Sequence, residues 1–152
     1  MEVAIDPGIT ATGVVLFAGG KAILTKTFRP KKRDDPIRVR RQEIVDAILV
    51  WITEISRIRM NKITVIAVEE PGMWGRQGRG SNPTLRIFHH FNGYLLGRLD
   101  IYCLDNDIKL REISKGTKKK EEAYMVANSK GFEGDEHQID AFYIGALGGF
   151  VV

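Results

Sequence analysis

The chain opens on two apolar runs separated by a small polar break. Met1–Asp6 is apolar until it ends in a lone carboxylate, Asp6; Pro7-Gly8 and a short polar turn follow, and Thr12–Phe17 is apolar again. This pattern predicts two antiparallel strands joined by a tight turn. Gly19-Gly20 signals a second turn and a third strand, Lys21–Phe28, in which alternation is loose. Pro30–Pro36 breaks the pattern. From Ile37 to about Arg59 the period changes: Ile37, Ile44, Ile48, Leu49, Ile52 and Ile55 recur at helical spacing, with Asp34 or Asp35 before Pro36 as the helix start.

Residues 62–69, KITVIAVE, form a β-branched run of the kind expected in a central strand covered on both faces. It also ends in acid, at Glu69 and Glu70, and Pro71-Gly72 stops it. Residues 72–82 are rich in glycine and arginine and read as a loop. Ser81 or Asn82 as cap and Pro83 as first helical residue open a helix to Leu99, with Leu85, Phe88, Leu95, Leu96 and Leu99 inward. Asp107–Glu112 alternates like a half-buried edge strand. A short helix is expected over Lys118–Asn128, and Asp135 with Gln138 reads as a capping box for a last helix. The stripe of that helix is Ile139, Phe142, Ala146 and Phe150. Strands and helices in this order, without repeats or linkers, predict one α/β domain over residues 1–152.

Composition changes this picture little. At 43% hydrophobic and 28% charged, the chain resembles ordinary globular proteins. No apolar run is long enough to span a bilayer, and residue 1 onward lacks the charge pattern of a secretory leader, so a cytoplasmic location is expected, in a bacterial or phage-infected cell or an equivalent DNA-containing compartment. The single cysteine, Cys103, excludes a disulfide framework or a cysteine-rich zinc site and reads as core filling. Charge distribution says more than the net +4. Residues 29–41 carry seven Lys/Arg against two Asp, Arg76, Arg79 and Arg86 lie together, and Lys115, Lys118, Lys119 and Lys120 form a third cluster. Three separated basic clusters point to a polyanion partner, against the plainer alternative of solubilising surface charge.

The acids carry the candidate chemistry. A buried carboxylate costs several kcal/mol (about 3 or more) unless a cation or metal compensates it. Asp6 and Glu69 both end core strands. If those strands are parallel neighbours, both project at one end of the sheet. The last helix adds Glu136, His137 and Asp140, which share a face, and Asp140 interrupts an otherwise apolar stretch. Hard oxygen and imidazole donors without thiolate suit Mg²⁺, with Mn²⁺ able to substitute. Two such ions about 4 Å apart could activate water and stabilise the leaving oxygen of a phosphodiester. Period-two alternation separates Glu69 from Glu70 and makes Glu69 the partner of Asp6. Each acid alone could instead serve a salt bridge or a cap. His89 and His90 lack metal-type companions and read as helix-surface or interface residues.

Three motifs, IDPG-x-x-x-TG at 5–13, A-V-E at 67–69 and H-x-x-D-A at 137–141, resemble those of the RuvC-type Holliday-junction resolvases in the RNase H-like superfamily. The likeness follows motif order across the whole chain and is thin between motifs. It implies an RNase H-like, five-stranded mixed sheet, three antiparallel strands then two parallel, flanked by helices. It also implies a Mg²⁺-dependent endonuclease that nicks four-way or branched DNA symmetrically as a homodimer. On this resemblance Asp6, Glu69 and Asp140 are catalytic metal ligands. His137 stands where many members have Asp, and is a ligand or a base, with Glu136 as a possible assistant. Lys120 falls near a lysine that helps hold the scissile phosphate, in a register that could slip to Lys118 or Lys119. The 71–82 loop corresponds to one that reaches into the junction, with Met73 and Trp74 as a wedge and Arg76 and Arg79 on phosphates; Trp74 could equally anchor the loop. Phe88, Phe91 and Tyr94 exceed what one helix face needs and are a candidate dimer surface.

Three rivals remain. An actin- or sugar-kinase-like ATPase opens on a similar strand and turn but needs two such domains and a second phosphate-binding turn. A non-catalytic nucleic-acid-binding module would have no use for all the acid positions. An RNase H-like nuclease acting on flaps or RNA-containing branches is the alternative that the residues discriminate least.

Overall fold

Among the described residues, five short strands and four helices account for the hydrophobic pattern. In a computed structural model, residues 1–70, 83–115 and 120–152 are described, leaving aside the side chains of Thr84 and Leu85. Strands β1 (Glu2–Asp6), β2 (Thr12–Ala18) and β3 (Lys21–Phe28) form an antiparallel meander. Strand β4 (Val65–Glu69) pairs with β1 in parallel, and β5 (Lys109–Ile113) pairs with β4 in parallel, giving the order β3-β2-β1-β4-β5. The helices are α1 (Ile37–Ile58), α2 (Pro83–Asn106), α3 (Lys120–Ser129) and α4 (Glu136–Leu147). This is the mixed RNase H-like sheet that the motifs imply.

Alternation along the strands assigns each helix to a face. Val3, Ile5, Val14, Leu16, Ile66 and Val68 pack with Ile44, Ile48 and Ile52 of α1 and Phe91, Leu95 and Leu99 of α2. Their neighbours Ala4, Val15, Phe17 and Ala67 pack with Ala123 and Ala127 of α3 and Ala141, Phe142 and Ile144 of α4. Burial on both faces is why β1, β2 and β4 read as continuous apolar runs. Each fully buried aliphatic side chain contributes about 1.5–3 kcal/mol.

The expected elements are all present, with shifted bounds. Helix α1 has Pro36 at its cap position with no side-chain cap hydrogen bond, so neither Asp34 nor Asp35 starts it. Instead the Pro36 carbonyl accepts from the Val39 and Arg40 amides. Helix α2 runs on past Leu99 to Asn106, because Cys103 prolongs its buried stripe by one turn. Burial, reinforced by nearby Asp100, pushes the Cys103 thiol up to about 11, in keeping with core filling. Strand β5 starts after Asp107, whose φ of 54° turns the chain there. Phe150 lies beyond the end of α4 yet is buried, its ring 5.7 Å from that of Phe17. The capping box of Asp135 and Gln138 forms as expected.

The aromatic residues proposed for a dimer surface are corrected in part. Phe91 is fully buried in the subunit's own core. Tyr94 packs against that core between the guanidinium groups of Arg41, 4.7 Å from its ring centre, and Arg98. A helix lying across a sheet buries more of its girdle than one face of a two-helix contact would, and that absorbs the surplus. Among the described residues no helix is long and apolar enough to cross a membrane.

Candidate active site

Asp6 and Glu69 are the last residues of adjacent parallel strands, just beyond the paired residues Ile5 and Val68. Both share the parity of Ala4 and Ala67, so both side chains lean toward the α3/α4 face. Glu70 has the other parity; it is exposed, and its backbone amide donates to the Ile113 carbonyl. Glu69 is therefore the partner of Asp6. Lys115, two residues past the end of β5, enters at the same sheet end. Its ammonium lies 2.8 Å from Asp6 Oδ1 and 3.3 Å from Glu69 Oε2. The carbonyl of Glu69 also accepts from the fully buried side chain of Asn92 on α2, at 3.3 Å.

The turn after Asp6 is closed by Thr12, a fully buried residue. Its hydroxyl donates to the Gly8 carbonyl at 2.8 Å and accepts from the Gly8 amide at 3.2 Å. A Cβ at Gly8 would run into the Ala11 carbonyl, so only glycine fits this turn.

Helix α4 brings the remaining groups. Its first turn is held by the Asp135 carboxylate, which accepts from the Gln138 amide at 3.0 Å and from the Thr27 hydroxyl of β3 at 2.6 Å. The His137 carbonyl sits against Gly13 of β2, where a Cβ would overlap it. This close approach carries His137 and Asp140 down to the strand ends. His137 Nδ1 is 4.0 Å from Asp6 Oδ2, and its Nε2 is 3.7 Å from Glu136 Oε1. Lys120 Nζ, at the start of α3, is 2.5 Å from Glu136 Oε2. Asp6, Glu69, Lys115, Lys120, Glu136, His137 and Asp140 together line one open cleft of about 410 Å³, floored by Pro7, Gly8 and Ala123.

Burial dominates the electrostatics. It pushes the Asp6 carboxyl up to about 7, with Asp140 and Glu69 adding to the rise and Lys115 opposing it. Burial alone would lower the Lys115 ammonium, but Asp6 and Glu69 outweigh it and hold the group above its ordinary value. At the rim, the hydrogen bond between Lys120 and Glu136 raises the ammonium and lowers the carboxyl. The centre is thus a buried cluster of carboxylates with one internal cation between two of them. Among the described residues no three acidic or imidazole side chains converge closely enough, as they stand, to hold a metal ion.

Asp6, Glu69, His137, Asp140 and Lys120, picked out from the sequence, meet in this cleft. Met73, Trp74, Arg76, Arg79, Lys118 and Lys119 lie outside the described residues. Lys115 was visible in the sequence only as one charge of a basic cluster. The signal that finds it is the one that found the acids: a charged residue just past the end of a strand parallel to β1 and β4. His90 is exposed and His89 half-buried on α2, away from the cleft residues.

No family model matches the sequence, and no curated protein matches it either. Solved structures do. RuvC of T. thermophilus in complex with a Holliday junction substrate is 21% identical with a TM-score of 0.68, covering 98% of this chain and 92% of that one. A second structure of Thermus thermophilus RuvC, also 21% identical, gives a TM-score of 0.63 over 98% of this chain and 93% of the other. The chain has the RuvC-like, RNase H-like fold over nearly its whole length.

Proposed function

We propose that this protein is a divalent-metal-dependent endonuclease that cuts branched DNA, four-way junctions in particular, by hydrolysing a phosphodiester in the Asp6 cleft. The observation that carries the reading is that Asp6, Glu69 and Asp140, from three separate elements, line a single cleft. The fold shared with a RuvC bound to a Holliday junction substrate supports the branched substrate.

The donor set fits a hard cation. It offers three carboxylates and one imidazole without thiolate. Asp6, Glu69 and Asp140, with His137 assisting, would hold Mg²⁺ or Mn²⁺, two ions per site as metal-pair phosphodiester hydrolysis uses. The bound metal would supply Lewis-acid polarisation of the phosphate and an acidified water.

The chain's own groups do the rest. The bare Pro7-Gly8 turn lets a phosphate approach the strand ends. Lys115 offsets part of the charge of Asp6 and Glu69, and the Lys120 ammonium can offset charge developing on the phosphoryl oxygens. His137 stands where its imidazole can add a ligand or accept the proton of the attacking water, with Glu136 beside it. The Met73–Arg79 segment would contact the branch point, Met73 and Trp74 by unstacking bases and Arg76 and Arg79 by binding phosphates, with Lys118 and Lys119 doing likewise beside Lys120.

A homodimer completes the proposal, since a four-way junction needs two symmetric nicks. Its surface is the outer stripe of α2, where Gly93 and Gly97 precede Ile101 and Leu104, 62% and 76% exposed. A monomeric mass at micromolar concentration would count against it.

The experiment is incubation with a synthetic four-way junction and with linear duplex, in Mg²⁺ or EDTA. Metal-dependent, paired nicking of the junction, lost by at least about a thousandfold in Asp6→Asn and Glu69→Gln but retained in Glu70→Gln, is expected. No cleavage by the unaltered protein, or full cleavage by Asp6→Asn, removes the enzyme. Equal cutting of duplex and junction leaves a nuclease of other specificity.

A further inference from the structure

The basic run at 29–41 looks like one cluster in the sequence, but the fold divides it. Strand β3 is antiparallel to β2 and so leaves the sheet at the same end as β1. The register runs straight across that end: Asp6 pairs with Gly13, and Gly13 pairs with Thr27. Thr27 is thus two strands from Asp6, about 10 Å at the usual strand spacing. The chain that follows it, Arg29–Pro36, leaves β3 at that end of the sheet.

This segment is anchored on both sides. Arg29 reaches Asp135 at 4.0 Å, next to Glu136 and His137 of the cleft, and the Lys31 amide donates to Glu43 of α1 at 3.1 Å. A turn closes where the Asp35 amide meets the Lys32 carbonyl. Lys31, Lys32 and Arg33 are exposed, and among the described residues their charged groups enter no ion pair. The later part of the run behaves otherwise. Arg41 stacks on Tyr94, and the Nε atoms of Arg40 and Arg41 are buried without a partner.

We infer that Lys31, Lys32 and Arg33 form a phosphate-binding ridge that grips a duplex arm of the DNA beside the cleavage cleft. The inference rests on the branched-DNA reading above and names a contact surface that reading does not require. Three cations on an anchored turn suit a repeating anion with no base readout. Contacts of this kind fix register on the duplex and leave the chemistry alone. Asp34 and Asp35, next on the same turn, oppose the attraction and give the idea a second sign to test.

The test is binding of a synthetic four-way junction by the full protein in EDTA, where no cutting is expected, titrated from 50 to 200 mM salt. The Lys31→Gln/Lys32→Gln/Arg33→Gln variant is expected to lower the slope of log affinity against log salt by about two to three, at roughly 0.9 per lost phosphate contact. Its affinity should fall tenfold or more, with the thermal midpoint and the single-turnover rate at saturating protein unchanged. Asp34→Asn/Asp35→Asn should tighten binding severalfold. Lys21→Gln, an exposed lysine at the far end of β3, should change nothing. A triple variant with the slope of Lys21→Gln overturns the ridge while leaving the nuclease standing. An unaltered protein without salt-dependent junction binding overturns both.

Discussion

The two faces of the sheet are built from different materials. On the α1/α2 side the strands present Val, Ile and Leu to helices carrying Ile, Leu and Phe, and the layers stand apart on bulky side chains. On the α3/α4 side they present Ala4, Ala67 and the bare Cα of Gly13, beside Val15 and Phe17, to helices that carry Ala123, Ala127 and Ala141 as well as Phe142 and Ile144, and Gly145 of α4 rests on the Phe17 ring. The first face holds the molecule together by filling volume. The second brings a helix backbone close enough for short side chains such as Asp140 to share a cleft with Asp6. Packing that maximises apolar bulk and packing that minimises distance are different solutions, and this chain uses one on each side.

The largest expected effect that separates the faces is loss of volume on the thick side. Ile48→Ala, at a fully buried position of α1, should cost about 4 kcal/mol in denaturant unfolding. Junction cleavage by the folded fraction should stay within about threefold, since remote sites seldom couple. A large loss of activity at intact fold would mean that the faces are not independent.

A smaller effect belongs to the thin side alone. In the unfolded chain Asp6 gives up its proton near its ordinary value of 3.8, whereas in the fold it keeps it to about 7. The folded state therefore favours the protonated form, and its contribution is full below pH 4 and lost as pH rises to 7. Metal-free protein should lose roughly 3 kcal/mol across that window, and Asp6→Asn should flatten the profile. Asp135, whose pKa is lowered although burial pushes the other way, loses its contribution only as pH falls below about 4, outside this window. Unfolding in urea at pH 4, 5.5 and 7.5 in EDTA reads the slope; a rise in stability with pH would contradict the burial of Asp6.

The smallest stability change should carry a far larger loss of activity than Ile48→Ala does. Gly13→Ala forces its Cβ onto the His137 carbonyl, and overpacking of this kind costs about 2 kcal/mol. The start of α4 must move, and a displacement of about 1 Å at a reacting centre can cost a hundredfold in rate. Comparing single-turnover cleavage with the thermal midpoint for Gly13→Ala and Ile48→Ala gives opposite orders if the two faces differ as described.

Much of this was legible from spacing. Acids at the ends of apolar strands, parity separating Glu69 from Glu70, and a capping box placing Asp140 one turn in are local signals, and local signals survive folding. What was hidden depended on tertiary register. Lys115 acquires meaning only when β5 is known to lie beside β4 with its end level with theirs. Phe91 looked surplus because one-helix periodicity does not show how much girth a sheet covers. The missed aspartate cap of α1 has a backbone cause: Pro36 takes an extended conformation that itself fills the cap position.

The bond between Thr27 and Asp135 has a mechanical consequence. It joins an outer strand to the first turn of α4, a turn already clasped by its own capping box and by Gly13. Held at three points, the turn moves as one piece, and His137 and Asp140 cannot drift independently of each other. Fixing a side chain costs on the order of 1 kcal/mol in lost freedom, and here that loss falls on the folding step. On the proposed reading, a phosphate entering the cleft would meet groups already held in place.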